Sequence, residues 1–110
     1  MRQSTLSDSL ATIPQEHWQI VQRGMEEAVS YGTAKALRVP GYKVAGKTGT
    51  AETSPGRPTH AWVVAYAPAQ SPRYAVSVFL EHGGSGGGKA APIGQQVLDF
   101  LLNAPSPTAP

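Results

Sequence analysis

The sequence predicts an α+β domain: an antiparallel sheet of about three strands with helices packed on it. Two segments, residues 12–30 and 90–102, repeat apolar residues at helical spacing. Between them lie three short segments of strand character, rich in Val, Tyr and Trp. The stretches joining those strands are too short for the crossovers that parallel pairing requires. A chain of 110 residues holds one domain at most. It can bury roughly 65% of the surface its unfolded form exposes, enough for one modest core.

Residues 1–11 read as a polar lead-in. The first helix is predicted over 12–30. Thr12 and Gln15 have the spacing of a capping box, and Pro14 falls in the first turn, where a missing N–H costs nothing. Trp18, Val21, Met25 and Val29 form the stripe expected to pack in the core. Gly32 is expected to end the helix in a left-handed conformation. Val39-Pro40-Gly41 marks a turn, and a strand is predicted from residue 42 onward to Thr50. Ser54-Pro55-Gly56-Arg57-Pro58 is a loop by composition.

The second strand covers residues 60–67, and two prolines between 67 and 73 turn the chain. The third, residues 73–81, has the clearest alternation. Tyr74, Val76, Val78 and Leu80 point one way, and Ala75, Ser77, Phe79 and Glu81 the other. Phe79 on the second side suggests that both faces of the sheet are partly covered. His82-Gly83-Gly84-Ser85-Gly86-Gly87-Gly88 reads as a flexible connection. The closing helix, 90–102, has Pro92 in its first turn and Ile93, Val97, Phe100 and Leu101 as its apolar stripe. Residues 103–110, rich in Pro, Ser and Ala, are expected to be a disordered tail.

Composition narrows the function. Nine Lys/Arg against seven Asp/Glu leave a charge of +2, and these residues are scattered. Nothing there favours nucleic acid or an anionic membrane surface. With no cysteine, a disulfide framework, a thiolate zinc site and a cysteine nucleophile are excluded. His17, His60 and His82 stand far apart in sequence, with no carboxylate or second histidine at ligand spacing, so neither a metal nor a cofactor is expected. His60 reads most simply as a solvated loop histidine, and Glu52 as a surface carboxylate. No apolar run approaches a membrane span of roughly 20 residues, and no secretory segment follows Met1.

Gly41-Tyr42-Lys43-Val44-Ala45-Gly46-Lys47-Thr48 fits the G-x-x-x-x-G-K-T phosphate-loop pattern letter for letter. Such a loop needs a buried strand before it and a helix after it, so that backbone N–H groups converge on an anion. Both flanks fail. Ala36-Leu37-Arg38-Val39-Pro40 is short and ends in proline, and Pro55-Gly56 cannot continue a helix. The other parse takes Lys47-Thr48-Gly49-Thr50 as an extended unit on a sheet edge. A strand edge can pair with an extended peptide. Gly49 clears space for that peptide's backbone. Thr48 and Thr50 offer hydroxyls to a carboxylate, and Lys47 supplies positive potential.

Lys-Thr-Gly is one of three signatures of the penicillin-recognising serine acyltransferases. It stands here within Val44-Ala45-Gly46-Lys47-Thr48-Gly49-Thr50-Ala51-Glu52. Gly32-Thr33-Ala34 precedes it. His60-Ala61-Trp62-Val63-Val64-Ala65-Tyr66-Ala67-Pro68, then the residues 73–81 strand and Gly83-Gly84-Ser85-Gly86-Gly87-Gly88, follow in order. Over roughly residues 12–102 the chain resembles the C-terminal part of the transpeptidase domain of class B penicillin-binding proteins. It looks most like the elongation-type member of rod-shape cell-wall synthesis. The resemblance implies part of the penicillin-binding/β-lactamase-like fold, with Lys47, Thr48, Gly49 and Thr50 on one wall of the active site. It also implies that the Thr50 backbone N–H completes an oxyanion hole.

The family's other two signatures are absent from this sequence. No Ser has a Lys three residues on, and Asn103, the only Asn, does not follow a Ser-x. The chain is therefore expected to be a fragment, inactive alone, of a peptidoglycan D,D-transpeptidase. The resemblance implies stem peptides and β-lactams as ligands of the whole domain. It implies a parent anchored in the inner membrane with its catalytic domain outside the cytoplasm. In the family the last strand pairs with one from the start of the domain. Its outer edge is thus expected to self-associate or to be covered by residues 3–10. A non-catalytic binding module is the second reading, and a nucleotide binder the third.

Overall fold

A computed structural model describes residues 9–104. Helix α1 spans Gln15–Tyr31 and is followed by a 3-10 turn, Lys35–Leu37. Strands β1 (Ala45–Ala51), β2 (His60–Ala67) and β3 (Tyr74–Leu80) come next. One π-helical turn, Gly86–Ala90, leads into α2, Ala91–Asn103. The sheet is antiparallel throughout in the order β1-β2-β3, as the short connections predict. Residues 1–8 and 105–110, with most of the 3–10 segment expected to cover a sheet edge, lie outside the described residues. Asn103 is the last residue of α2 rather than the start of a tail, and its amide donates to the Pro40 carbonyl.

Strand alternation divides the sheet into two unlike faces. One carries Gly46 and Thr48 of β1, Ala61, Val63, Ala65 and Ala67 of β2, and Val76, Val78 and Leu80 of β3. Here lies the core, with Leu37, Leu98 and Val63 the largest fully buried side chains. Burying each contributes about 1.5–3 kcal/mol. Much of the rest of the core is alanine, so α2 rests close to the sheet. A Cβ on Gly94 would sit 3.2 Å from Leu37 Cδ2 and 3.3 Å from Val63 Cγ1.

That closeness explains why the predicted α2 stripe is incorrect. The helix buries Ala91, Gly94, Leu98 and Leu102. Ile93, Val97 and Leu101 are exposed, and Phe100 is 71% exposed. Weighing residues by apolar bulk selects the wrong side, because small residues are what let a helix approach a sheet. The α1 stripe needs a similar correction. Only Val29 is buried; Val21 is exposed, while Trp18 and Met25 line an open groove with Tyr66 and Pro72. The second sheet face is also barer than Phe79 suggests. Phe79 and Val64 are exposed, as are Ala75 and Ser77.

The ends of α1 differ from the expectation as well. Pro14 is the N-cap, no described side chain caps the helix, and the Thr12 hydroxyl donates to the Ser9 carbonyl instead of forming a capping box. Gly32 is extended, at φ −103°, not left-handed. What requires glycine there is space, since a Cβ would lie 2.9 Å from Ala28 Cα. Arg38 compensates the exposed C-terminus. Its guanidinium donates to the Val29 and Ser30 carbonyls, setting a cation at the negative end of the helix.

Candidate active-site wall

Lys47, Thr48, Gly49 and Thr50 lie within β1, pairing in register with Val64, Val63, Trp62 and Ala61 of β2. They form a continuous extended strand, and the next element is strand β2 rather than a helix. The phosphate-loop parse therefore fails on geometry. β1 is an edge strand, its outer side unpaired among the described residues. Such an edge presents unpaired backbone donors and acceptors at strand spacing.

Alternation sends the four residues to different places. Lys47 is exposed on the barer face, its Nζ 5.8 Å from the centre of the Trp62 ring and donating to the Thr48 carbonyl. This places positive charge over an aromatic face at the strand edge. Thr48 points into the core side and is 7% exposed. Its hydroxyl donates to the Thr33 hydroxyl at 3.1 Å, so the fold itself holds it. Thr50 is exposed. Gly49 does not leave open room on its own side: a Cβ there would meet Trp62 Cζ2 at 1.9 Å.

Residues beyond the motif brace it. The glycine-rich run is packed rather than a flexible connection, with Gly86 and Ala90 buried. A Cβ on Gly86 would fall 2.4 Å from the Gly49 carbonyl oxygen and 2.7 Å from that of Trp62. Glycine is what allows this approach of backbone to backbone. Ser85 caps the turn by accepting from the Gly88 N–H. Thr33 and Gly86 carry no periodic signal and are 14 and 37 residues from Lys47 and Gly49 in sequence, so only the fold brings them to the motif.

His60 is not a solvated loop residue. It opens β2, half-buried, with its ring 5.2 Å from that of Phe79 and 4.7 Å from that of His82. Glu52 is exposed beyond the end of β1. No cluster of three metal-ligating side chains occurs among the described residues. No described helix is long and apolar enough to cross a membrane.

The penicillin binding protein transpeptidase domain profile matches residues 6–99. The chain is 49% identical over 72 residues to the peptidoglycan D,D-transpeptidase PbpA of Mycobacterium tuberculosis, covering 58% of this chain and 15% of that protein. To the peptidoglycan D,D-transpeptidase MrdA of Haemophilus influenzae it is 37% identical over 103 residues, covering 78% and 16%. The structure of penicillin-binding protein A from M. tuberculosis, in a ceftriaxone acyl-enzyme complex, aligns with a TM-score of 0.68 at 39% identity. That alignment covers 74% of this chain and 20% of the other. An extended Lys-Thr-Gly edge, a matching sheet and a match over most of the sequence agree: this chain belongs to the penicillin-binding-protein transpeptidase family, is similar to its PbpA/MrdA members, and spans a fragment of their domain.

Proposed function

We propose that this chain forms the Lys-Thr-Gly wall of the active site of a peptidoglycan D,D-transpeptidase. The observation that carries the reading is the extended Lys47–Thr50 segment on the outer edge of β1. A stem peptide adds to this edge as a further strand, as peptides do in β-augmentation. Thr50 supplies the backbone N–H that stabilises the oxyanion of acyl transfer, and its hydroxyl engages the substrate carboxylate. Lys47 provides positive potential beside that carboxylate and near the proton path. Thr48 contributes through the strand backbone and, on rotation away from Thr33, through its hydroxyl. β-Lactams occupy the same edge.

The nucleophilic serine and its lysine belong to the rest of the domain. A strand of that rest pairs with the outer edge of β3, and the rest of the domain covers the exposed Phe79 and Val64 side chains; alone, this chain self-associates through that edge. The parent is anchored in the inner membrane with this domain outside the cytoplasm. Labelled penicillin tests the reading: it acylates the parent and leaves this chain unmarked, and Lys47→Ala in the parent lowers acylation on the order of a hundred-fold. A parent that labels normally without Lys47 would overturn it.

A further inference from the structure

The turn after β3 is tied to the start of β2 by four hydrogen bonds. The His82 N–H donates to His60 Nδ1 at 2.9 Å, and His82 Nδ1 lies 2.9 Å from the Pro58 carbonyl oxygen. Gly84 N–H donates to the Thr59 carbonyl at 3.0 Å, and the Thr59 hydroxyl to the Gly84 carbonyl at 2.8 Å. Between them His82 holds a left-handed φ of 52°, a conformation unfavourable for a residue with a side chain. Two residues past Gly84 comes Gly86, seated on the Gly49 and Trp62 carbonyls.

These partners fix the protons. A carbonyl only accepts, so His82 carries its proton on Nδ1. An amide N–H only donates, so His60 Nδ1 is bare and its proton is on Nε2. The two rings therefore respond oppositely to acid. A second proton on His82 enters at Nε2, toward Glu81 Oε1 at 3.8 Å, and leaves its other contacts intact. A second proton on His60 enters at Nδ1. It sets N–H against N–H and places positive charge 4.7 Å from the neighbouring ring.

The other charged groups come from neighbouring segments before and after His60. On β1, Ala51 lies opposite His60 and Glu52 is the next residue. Arg57 precedes Pro58 in the connection, and Lys89 lies in the turn beyond Gly86. His82 and Glu81 come from the turn itself.

We infer that His60 is a positioning residue: its neutral ring helps hold the glycine-rich turn down beside Gly49, and its protonation loosens that turn against the Lys-Thr-Gly strand. The catalytic meaning of this rests on the transpeptidase reading, but the linkage itself does not. It is tested on this chain by NMR, following the His60 ring and the amides of His82, Gly86 and Gly49 between about pH 8 and pH 5, where imidazoles change charge. One shared midpoint is expected, with His82 amide exchange rising roughly ten-fold as its acceptor is lost.

His60→Asn keeps an acceptor where Nδ1 stood but cannot be charged, and its Gly49 and Gly86 amides stay constant across the range. His60→Phe keeps the ring beside Phe79 without the acceptor, and shows the acid pattern at every pH. Gly49 and Gly86 amides that stay still while His60 titrates would overturn the inference. So would a His60→Asn chain with the parental pH response. If the penicillin experiment fails while these shifts appear, the linkage stands and only its bearing on catalysis falls.

Discussion

Gly49 and the Trp62 ring occupy one space: a Cβ at position 49 would lie 1.9 Å from Cζ2 and 2.0 Å from Cε2 of the indole. The motif glycine thus has an intramolecular reason to exist. Gly49→Ala is expected to destabilise the chain by about 1–3 kcal/mol, as overpacking does. Pairing it with Trp62→Leu should recover part of that loss, a coupling readable in urea unfolding of the two single variants and the double.

The Thr48–Thr33 contact ties the motif strand to the segment after α1. Thr48→Val leaves the Thr33 hydroxyl without this partner and is expected to lose about 1 kcal/mol. The double variant Thr33→Val/Thr48→Val should lose less than the sum of the singles. Thermal melts of the four chains measure this.

On α2, Leu98→Ala should cost about 2–5 kcal/mol, because Leu98 is fully buried in the core. Phe100→Ala, on the exposed side, should stay within about 0.5 kcal/mol of the parent chain. Chemical denaturation that reversed this order would mean the helix is rotated on the sheet.

Among the described residues the buried Tyr66 phenol oxygen has no hydrogen-bond partner. Burial first, and Glu26 second, raise its pKa above the usual 10.0. The unfolded chain therefore loses this proton before the folded one does, and Tyr66 makes stability fall as pH rises past about 10. Tyr66→Phe is expected to be neutral or to stabilise by about 1 kcal/mol at neutral pH. It should also flatten that alkaline decline, which melting temperature against pH would record.

The sheet and the motif strand are legible in the sequence because local chemistry agrees there. Val76, Val78 and Leu80 alternate cleanly, and Pro40 and Pro55-Gly56 deny a helix to either side of Lys47-Thr48-Gly49-Thr50. The buried side of α2 is not legible, since Ala91 and Gly94 carry little apolar signal and Phe100 carries much. The Thr33 and Gly86 braces depend on where separate turns land in space, which no spacing rule reports. His60 looks like an ordinary polar residue until the turn from β3 brings His82 over it.

With Trp62 across Gly49 on one side and the Gly86 turn seated against its backbone, the Lys-Thr-Gly strand has little freedom left to lose. A chain that added to this edge, as proposed, would meet donors and acceptors already at strand spacing, and the entropy of ordering would fall on the visitor rather than the host. Rigid, already extended ligands should therefore gain the most from this edge, and floppy ones the least.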